Sequence, residues 1–169
     1  HYVSNGYGEG RSADNFDEWQ YLASNGDLIT TFGSDISAAI QHYISNGYLE
    51  RRSKDTFDEW QYLASNGDLI TTFGSDTTAA TQHYVSSGYA EGRSLDAFDE
   101  WQYLASNADL ITAFGSDITA ATQHYVSNGY AEGRSKDSFD EWGYLASNND
   151  LMKAFGSNTT EAIKHYISY

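Results

Sequence analysis

Apolar residues recur along this chain in short bursts with helical spacing, not in the alternation of a strand. Between Asn15 and Ser24, Phe16, Trp19 and Ala23 fall three or four residues apart, with Leu22 beside them. Asp14 precedes this stretch as an N-cap and Asp17 lies in its first turn, so a first helix is predicted over 15–24. A second helix is predicted from Gly26 to Phe32. Asn25 caps it, Leu28, Ile29 and Phe32 form its buried side, and Gly33 ends it. A third is predicted from Asp35 to Ser45, capped by Ser34, with Ile36, Ala39 and Tyr43 as its inner stripe. Gly47 then fits the position where a left-handed residue closes a helix, and Tyr48 fits the apolar contact that accompanies such a closure. Residues 8–12 read as the connector to the next first helix. The chain contains no proline, so Gly, Asn and Ser make the breaks.

The pattern is periodic. Histidine stands at 1, 42, 83, 124 and 165, and tryptophan at 19, 60, 101 and 142, so both series step by 41 residues. The copies run roughly over 9–49, 50–90, 91–131 and 132–169, and residues 1–8 match the end of a preceding unit. A period of this length suits helical solenoids or propeller blades, and blades need the period-2 alternation that is missing here. One copy has too small a core to stand alone and must bury its remaining apolar surface against the next. The expected fold is therefore all-α: an elongated solenoid of four 41-residue repeats, about three short helices each, forming one domain over 1–169. Copy four departs from the others at Gly143, Lys153, Glu161 and Lys164, where earlier copies carry Gln, Thr, Ala and Gln. Three of these changes add charge. These columns are therefore expected to face the following repeat, with copy four as a C-terminal cap. The start at His1, with neither Met nor signal peptide, reads as a processed product or an excerpt of something longer.

Two strings carry a resemblance. Phe98-Asp99-Glu100-Trp101-Gln102-Tyr103-Leu104-Ala105-Ser106-Asn107-Ala108-Asp109-Leu110 resembles the FDxxxYLxxNPDL opening of a repeat common in secreted and surface-associated bacterial proteins. His124-Tyr125-Val126-Ser127-Asn128-Gly129-Tyr130-Ala131-Glu132-Gly133-Arg134 resembles its HYxxxGxxEGR end. The likeness covers essentially the whole chain. Gly26, Gly67, Ala108 and Asn149 stand where that repeat often has Pro, a first-turn residue whose loss touches stability more than identity. The resemblance implies an accessory module of the kind found beside calcium-binding RTX-type repeats, surface enzymes and glycan-related domains. It assigns no functional residue.

Charge narrows the classes of partner. Nine Lys and Arg stand against 24 Asp and Glu, a formal net charge of −15. Such a surface repels phosphate backbones and anionic membranes, so nucleic acid is not an expected partner. No apolar run approaches the roughly 18 residues of a membrane span, so membrane insertion is not expected. There is no cysteine, hence no disulfide framework and no thiolate metal site.

The candidate chemistry divides between fold and ligand. Copy one carries Glu9, Asp14, Asp17, Glu18, Asp27 and Asp35. Most of these lie at predicted helix starts, where acids cap free N–H groups and oppose the helix dipole. Calcium is the competing reading, without an EF-hand spacing or the glycine-rich RTX nonapeptide to support it. Each copy offers one His, such as His42, too few for a metal site, and a half-buried His bonded to a backbone group or carboxylate is expected. Ser, His and Asp occur in every copy, but the GxSxG elbow is absent, so no enzyme is expected. Arg11, Arg52, Arg93 and Arg134 recur beside Glu9, Glu50, Glu91 and Glu132. They pair with acids of an adjoining helix or bond the carbonyls of the third helix, or else they face an anionic ligand.

The aromatic columns supply the candidate ligand site. Trp19, Trp60, Trp101 and Trp142, with Tyr21, Tyr62, Tyr103 and Tyr144, either fill the seam between repeats or form a ladder that stacks on sugar rings. Positions two apart on a helix point apart, so Trp19 or Tyr21 lies off the core. The reading is a non-catalytic helical repeat module of a secreted or cell-surface bacterial protein, binding an extended polysaccharide or another surface protein. A passive spacer or assembly scaffold and a calcium-associated accessory module are the alternatives. No cofactor or metal is expected, and the sequence leaves the oligomeric state open.

Overall fold

The computed structural model describes residues 8–10, 12 and 15–169. Among these every regular element is helical. The helices are α1 (Glu18–Ala23), α2 (Gly26–Phe32), α3 (Ile36–His42), α4 (Glu59–Ser65), α5 (Gly67–Phe73), α6 (Thr77–His83), the short α7 (Tyr89–Glu91), α8 (Glu100–Ala105), α9 (Ala108–Phe114), α10 (Ile118–His124), α11 (Glu141–Ser147), α12 (Asn149–Phe155) and α13 (Thr159–Ser168). Helices α3, α6 and α10 each run on into a π turn, at Tyr43–Gly47, Tyr84–Gly88 and Tyr125–Gly129. Every copy thus has the three short helices expected of it.

The caps follow the expected chemistry with shifted positions. The first helix starts at Glu18 and its cap is Asp17, whose carboxylate accepts the Gln20 N–H at 2.8 Å. Phe16 therefore precedes the helix, and Asp14, expected as the cap, lies outside the described residues. The equivalent caps are Asp58, Asp99 and Asp140. The third helix is capped by Asp35, which accepts from Ala38 N–H at 3.0 Å, and not by Ser34. An ionised carboxylate there meets both the free N–H and the positive end of the helix dipole, which a hydroxyl does less well. Asn25 makes no cap bond. Its Nδ2 donates instead to Tyr21 O at 2.7 Å and Ser53 O at 2.8 Å, tying the helix to the connector that follows.

Gly47 also departs from expectation. It is helical and belongs to the π turn; the left-handed residue comes four positions later, at Arg51, with φ 57°, and at Gly92 and Gly133 in the next copies. There Arg52 N–H reaches Gly47 O at 3.0 Å, and Arg93 and Arg134 N–H repeat this to Gly88 O and Gly129 O. This is the six-residue closure of a helix end. Gly47 and Gly129 are needed for a different reason: the hydroxyls of Tyr21 and Tyr103 occupy the space a Cβ would take.

The chain divides into two compact units. One comprises His1–Phe57 with Thr81–Arg93, the other Asp58–Ala80 with Ser94–Tyr169. In the first, α1 packs on α2 and α3, and its other side meets the π turn Tyr84–Gly88 of copy two. In the second, α4 meets α10 and its π turn, α8 meets α9, α10 and α13, and α11 packs on α12 and α13. Within each unit, then, the first helix of a copy lies against the last helical segment of the copy that follows. The core of the second unit is built from Leu63, Leu104, Leu145 and Leu151 with Ala105, Ala121 and Ala162, and Tyr62 and Tyr103 are fully buried among its residues. Pairs of rings are stacked in register: Phe57 on Tyr84 at 4.7 Å in the first unit, Phe98 on Tyr125 at 4.5 Å and Phe139 on Tyr166 at 4.4 Å in the second.

Two substitutions test these local rules. Gly129→Ala forces a methyl against the Tyr103 hydroxyl and should lower stability by about 1–3 kcal/mol, the usual range for overpacking, in a denaturant melt. Arg51→Gly relieves a left-handed non-glycine residue and should raise stability by about 0.5–1 kcal/mol; an unchanged midpoint would show that position 51 carries no strain.

Candidate functional site

The candidate site lies where the Trp, Tyr and Arg columns meet the seam between consecutive copies. Tyrosine comes first because the helix phase fixes it. Tyr21 sits one turn after cap Asp17 and points into the core; it, Tyr62 and Tyr103 are fully buried. The hydroxyls of Tyr21, Tyr103 and Tyr144 lie 2.9 Å from Nδ1 of His42, His124 and His165. These histidines are half-buried, as expected, but their partner is a phenol and not a carboxylate or backbone group. Burial pushes the Tyr103 hydroxyl up to about 12 and also raises Tyr21 and Tyr144. No sugar ring can stack on Tyr21, Tyr62 or Tyr103 in this fold, so these three leave the candidate ladder. Tyr144 is half-buried.

The arginines are held by acids. Arg52 Nη1 sits 2.7 Å from both carboxylate oxygens of Asp27, in the first turn of α2, while its Nε donates to Glu50 at 2.8 Å. Arg134 repeats this with Asp109 at 2.9 Å and with Glu132 at 2.5 Å, and Arg93 Nε meets Glu91 at 2.7 Å. The hydrogen bond from Arg52 holds the Asp27 carboxyl below its usual range, and Arg134 does the same to Asp109. The guanidinium fork thus ties the end of the third helix to the start of the second, which is the pairing reading of the sequence. Arg11 lies outside the described residues.

Tryptophan stands in the first helical turn beside the Asp cap. Trp19, Trp60 and Trp101 are half-buried, and Trp142 is 58% exposed. Trp60 lines a cavity of about 110 Å³ with Asp58, Gln61, Glu100, Ile118, Thr119 and Thr122. The Lys164 ammonium lies 5.5 Å from the centre of the Trp101 ring, within cation–π range. Lys164 belongs to copy four and Trp101 to copy three, so this lysine faces the preceding copy. That corrects the expectation that all four divergent columns face forward. The Gln column does: Gln20 Nε2 donates to Phe57 O at 3.1 Å, Gln61 Nε2 to Phe98 O at 2.7 Å and Asp96 at 2.8 Å, and Gln102 Nε2 to Phe139 O at 3.2 Å and Glu141 at 2.8 Å. Thr30 also faces forward, its hydroxyl 3.5 Å from that of Tyr89. Glu161 lies 3.0 Å from Lys164 on its own helix.

The seam in the second unit is polar and acidic on its rim. Burial raises the Glu100 carboxyl above its usual range, and nearby Asp96, Asp99 and Asp58 add to this. The Oε1 atoms of Gln61 and Gln102 are buried without a protein hydrogen-bond donor. Among the described residues no three His, Asp or Glu side chains converge as metal ligands, and no helix is long and apolar enough to cross a membrane.

Sequence reasoning missed the glycines of this seam. A Cβ at Gly26 would fall 2.6 Å from the Tyr89 ring, and one at Gly67 2.8 Å from the Tyr130 ring. The signal was present: Ala108 and Asn149 stand in the same column at exposed positions. Comparison of the chain with protein-family models, curated proteins and solved structures finds no match.

The tyrosine column makes a pH prediction. A folded-state value raised from 10 to about 12 favours the neutral phenol, so this contribution to stability is complete below pH 10 and is lost as pH rises from 10 towards 12. Ultraviolet titration should show a phenol fraction ionising well above the exposed tyrosines, reduced in Tyr103→Phe, with alkaline unfolding beginning over the same interval.

Proposed function

We propose that the chain is a non-catalytic helical repeat module of a secreted or cell-surface bacterial protein, acting as an assembly scaffold whose copies stack as a solenoid. One observation carries this reading: Trp60 and Trp101, two of the sequence candidates for a ligand surface, and the Gln residues beside them are spent on contacts between consecutive copies. Gln102 bridges to Phe139 and Glu141, Trp101 receives Lys164, and Trp60 lines a cavity against α10. Each copy offers the next the same side chains, so stacking of this kind propagates in one dimension. The resemblance noted in the sequence supports the setting outside the cell.

A second reading, binding of an extended polysaccharide, is favoured by Trp142. Its ring is largely open, next to the acid Glu141, in the combination that stacks on and hydrogen-bonds sugars. Weak contacts of this kind gain by linkage only where several rings are open at repeat spacing.

The two readings separate in one pair of measurements. In the scaffold reading Trp60→Ala removes a half-buried seam ring and lowers stability by roughly 2 kcal/mol, below the 3–5 kcal/mol typical of a fully buried ring. The chain then shows no binding on a glycan array, with or without calcium. A Trp60→Ala chain that melts like the parent but loses affinity for a long polysaccharide would replace the scaffold by the ladder.

A further inference from the structure

Two seams inside the second unit, one on each side of copy three, are built on one plan and differ in charge. At the later seam, Asp99 and Gln102 of copy three line a cavity with Glu141, Thr159 and Thr160 of copy four. At the earlier seam, Asp58, Trp60 and Gln61 of copy two line a cavity with Glu100, Thr119 and Thr122 of copy three. Asp58, Gln61 and Glu100 hold the repeat positions of Asp99, Gln102 and Glu141. The later seam brings its own cations. Lys136 lines its cavity, and the Lys164 ammonium lies 5.5 Å from the centre of the Trp101 ring and 3.0 Å from Glu161. One repeat earlier, Leu95 stands in place of Lys136 and Gln123 in place of Lys164. The earlier seam thus keeps the acids and the ring and has neither lysine.

The walls of the earlier cavity offer acceptors without a donor to match. Glu100 is half-buried, and the charges that act on it are the acids Asp96, Asp99 and Asp58. Like charges so placed are unfavourable until a cation joins them. Gln61 is 7% exposed. Its Nε2 donates to Phe98 O and Asp96 Oδ1, which fixes the amide, because the flipped group would set an acceptor against two acceptors. Its Oε1 is buried without a donor, a cost that a ligand N–H would remove. Trp60 adds a ring, whose negative face attracts an ammonium. A metal ion is poorly served here: among the described residues no three His, Asp or Glu side chains converge. An ammonium needs only a few acceptors and a ring face. The cavity, about 110 Å³, holds a few water-sized groups, which suits an ammonium on an alkyl stem better than a sugar ring.

We propose that the cavity of Asp58, Trp60, Gln61 and Glu100 is a binding site for a primary alkylammonium group, the head of a lysine side chain. The ammonium lies on the indole of Trp60, as that of Lys164 lies on Trp101, and donates to Glu100 and to Gln61 Oε1. Ile118 gives the alkyl stem an apolar wall. The later seam carries the same chemistry with its ligand built into copy four. This site goes beyond the scaffold reading and does not depend on it, since it needs only the packing of α4 on α10.

Isothermal titration calorimetry of the full chain tests it at physiological ionic strength, where loose attraction to an acidic surface is screened. The probes are n-butylammonium chloride and Nα-acetyl-lysine methylamide, with n-butanol and glucosamine for comparison. Both alkylammonium probes should bind at a single site, and n-butanol should not bind. E100Q should weaken both by about tenfold, the loss of one charge-assisted contact. Q123K, at an exposed position, should abolish binding and keep the parent's circular dichroism and melting temperature, because the new lysine takes over Trp60 the place that Lys164 takes over Trp101. Absence of saturable heat with both alkylammonium probes would overturn the proposal. So would saturable binding left unchanged in a folded Q123K, which puts the cation elsewhere on the surface. Tighter binding of glucosamine than of either alkylammonium probe would also overturn it, since the ligand would then be an amino sugar. Should one of the two variants not fold, the other decides. A Trp60→Ala melt that fails the scaffold leaves these outcomes unaffected.

Discussion

The buried tyrosine hydroxyl of the first helix constrains more of this structure than any other single group. A phenol withdrawn from water must be hydrogen-bonded or it costs on the order of 1–3 kcal/mol, and His42, His124 and His165 answer Tyr21, Tyr103 and Tyr144. The hydroxyls of Tyr21 and Tyr103 also leave no room for a side chain at Gly47 and Gly129. These glycines sit in π turns, where the backbone bonds run from Tyr48 N–H to Tyr43 O and from Tyr130 N–H to Tyr125 O. The extra residue of a π turn lets the third helix pass the phenol and still end in the six-residue closure that sets the following arginine. Arg52 and Arg134 then reach back to Asp27 and Asp109. One phenol per copy thus connects the core, the helix irregularity and the ion pair.

The seam between copies is built differently from the core of a copy. Inside, rings stack and leucines pack. Across the seam the Gln, Ser and Asn side chains bond to backbone groups of the connector, most of them backbone N–H or C=O that no helix satisfies. This fixes register, since a shift by one residue would break Gln61 to Phe98 O, Ser65 to Phe98 N–H and Asn66 to Ser94 O together. It also accounts for much of the acidity. Asp17, Asp35 and their equivalents cap helices, and Asp27 and Asp109 hold arginines, so the negative charge serves short helices that need many caps.

The helices were legible in the sequence because short segments with caps and glycine stops leave a local signature. Gly26–Phe32 is such a case, and both its ends match. The first and third helices shifted because two capping residues compete at each start, Asp14 with Asp17 and Ser34 with Asp35, and only the three-dimensional direction of the chain decides between them. The site was less legible. Trp19 and Tyr21 look equivalent in composition, and helix phase alone says that they diverge without saying which turns inward. The role of Gly47 was hidden because a glycine after a helix suggests a left-handed turn; that it instead makes space for a ring twenty-six residues earlier is a tertiary fact. The forward direction of the Gln column and the backward direction of Lys164 are tertiary facts for the same reason.

Among the described residues, the pairs named above lie within one copy or between neighbouring copies. Tyr21 and His42, Arg52 and Asp27, Asn66 and Ser94, and even the most distant, Gly26 with Tyr89 and Trp101 with Lys164, span no more than neighbouring copies. Closing loops of that length costs little entropy, and the cost rises only slowly with length. Growth can start at any copy whose phenol and histidine have met and extend by one neighbour at a time, so a copy added during synthesis finds its template already formed.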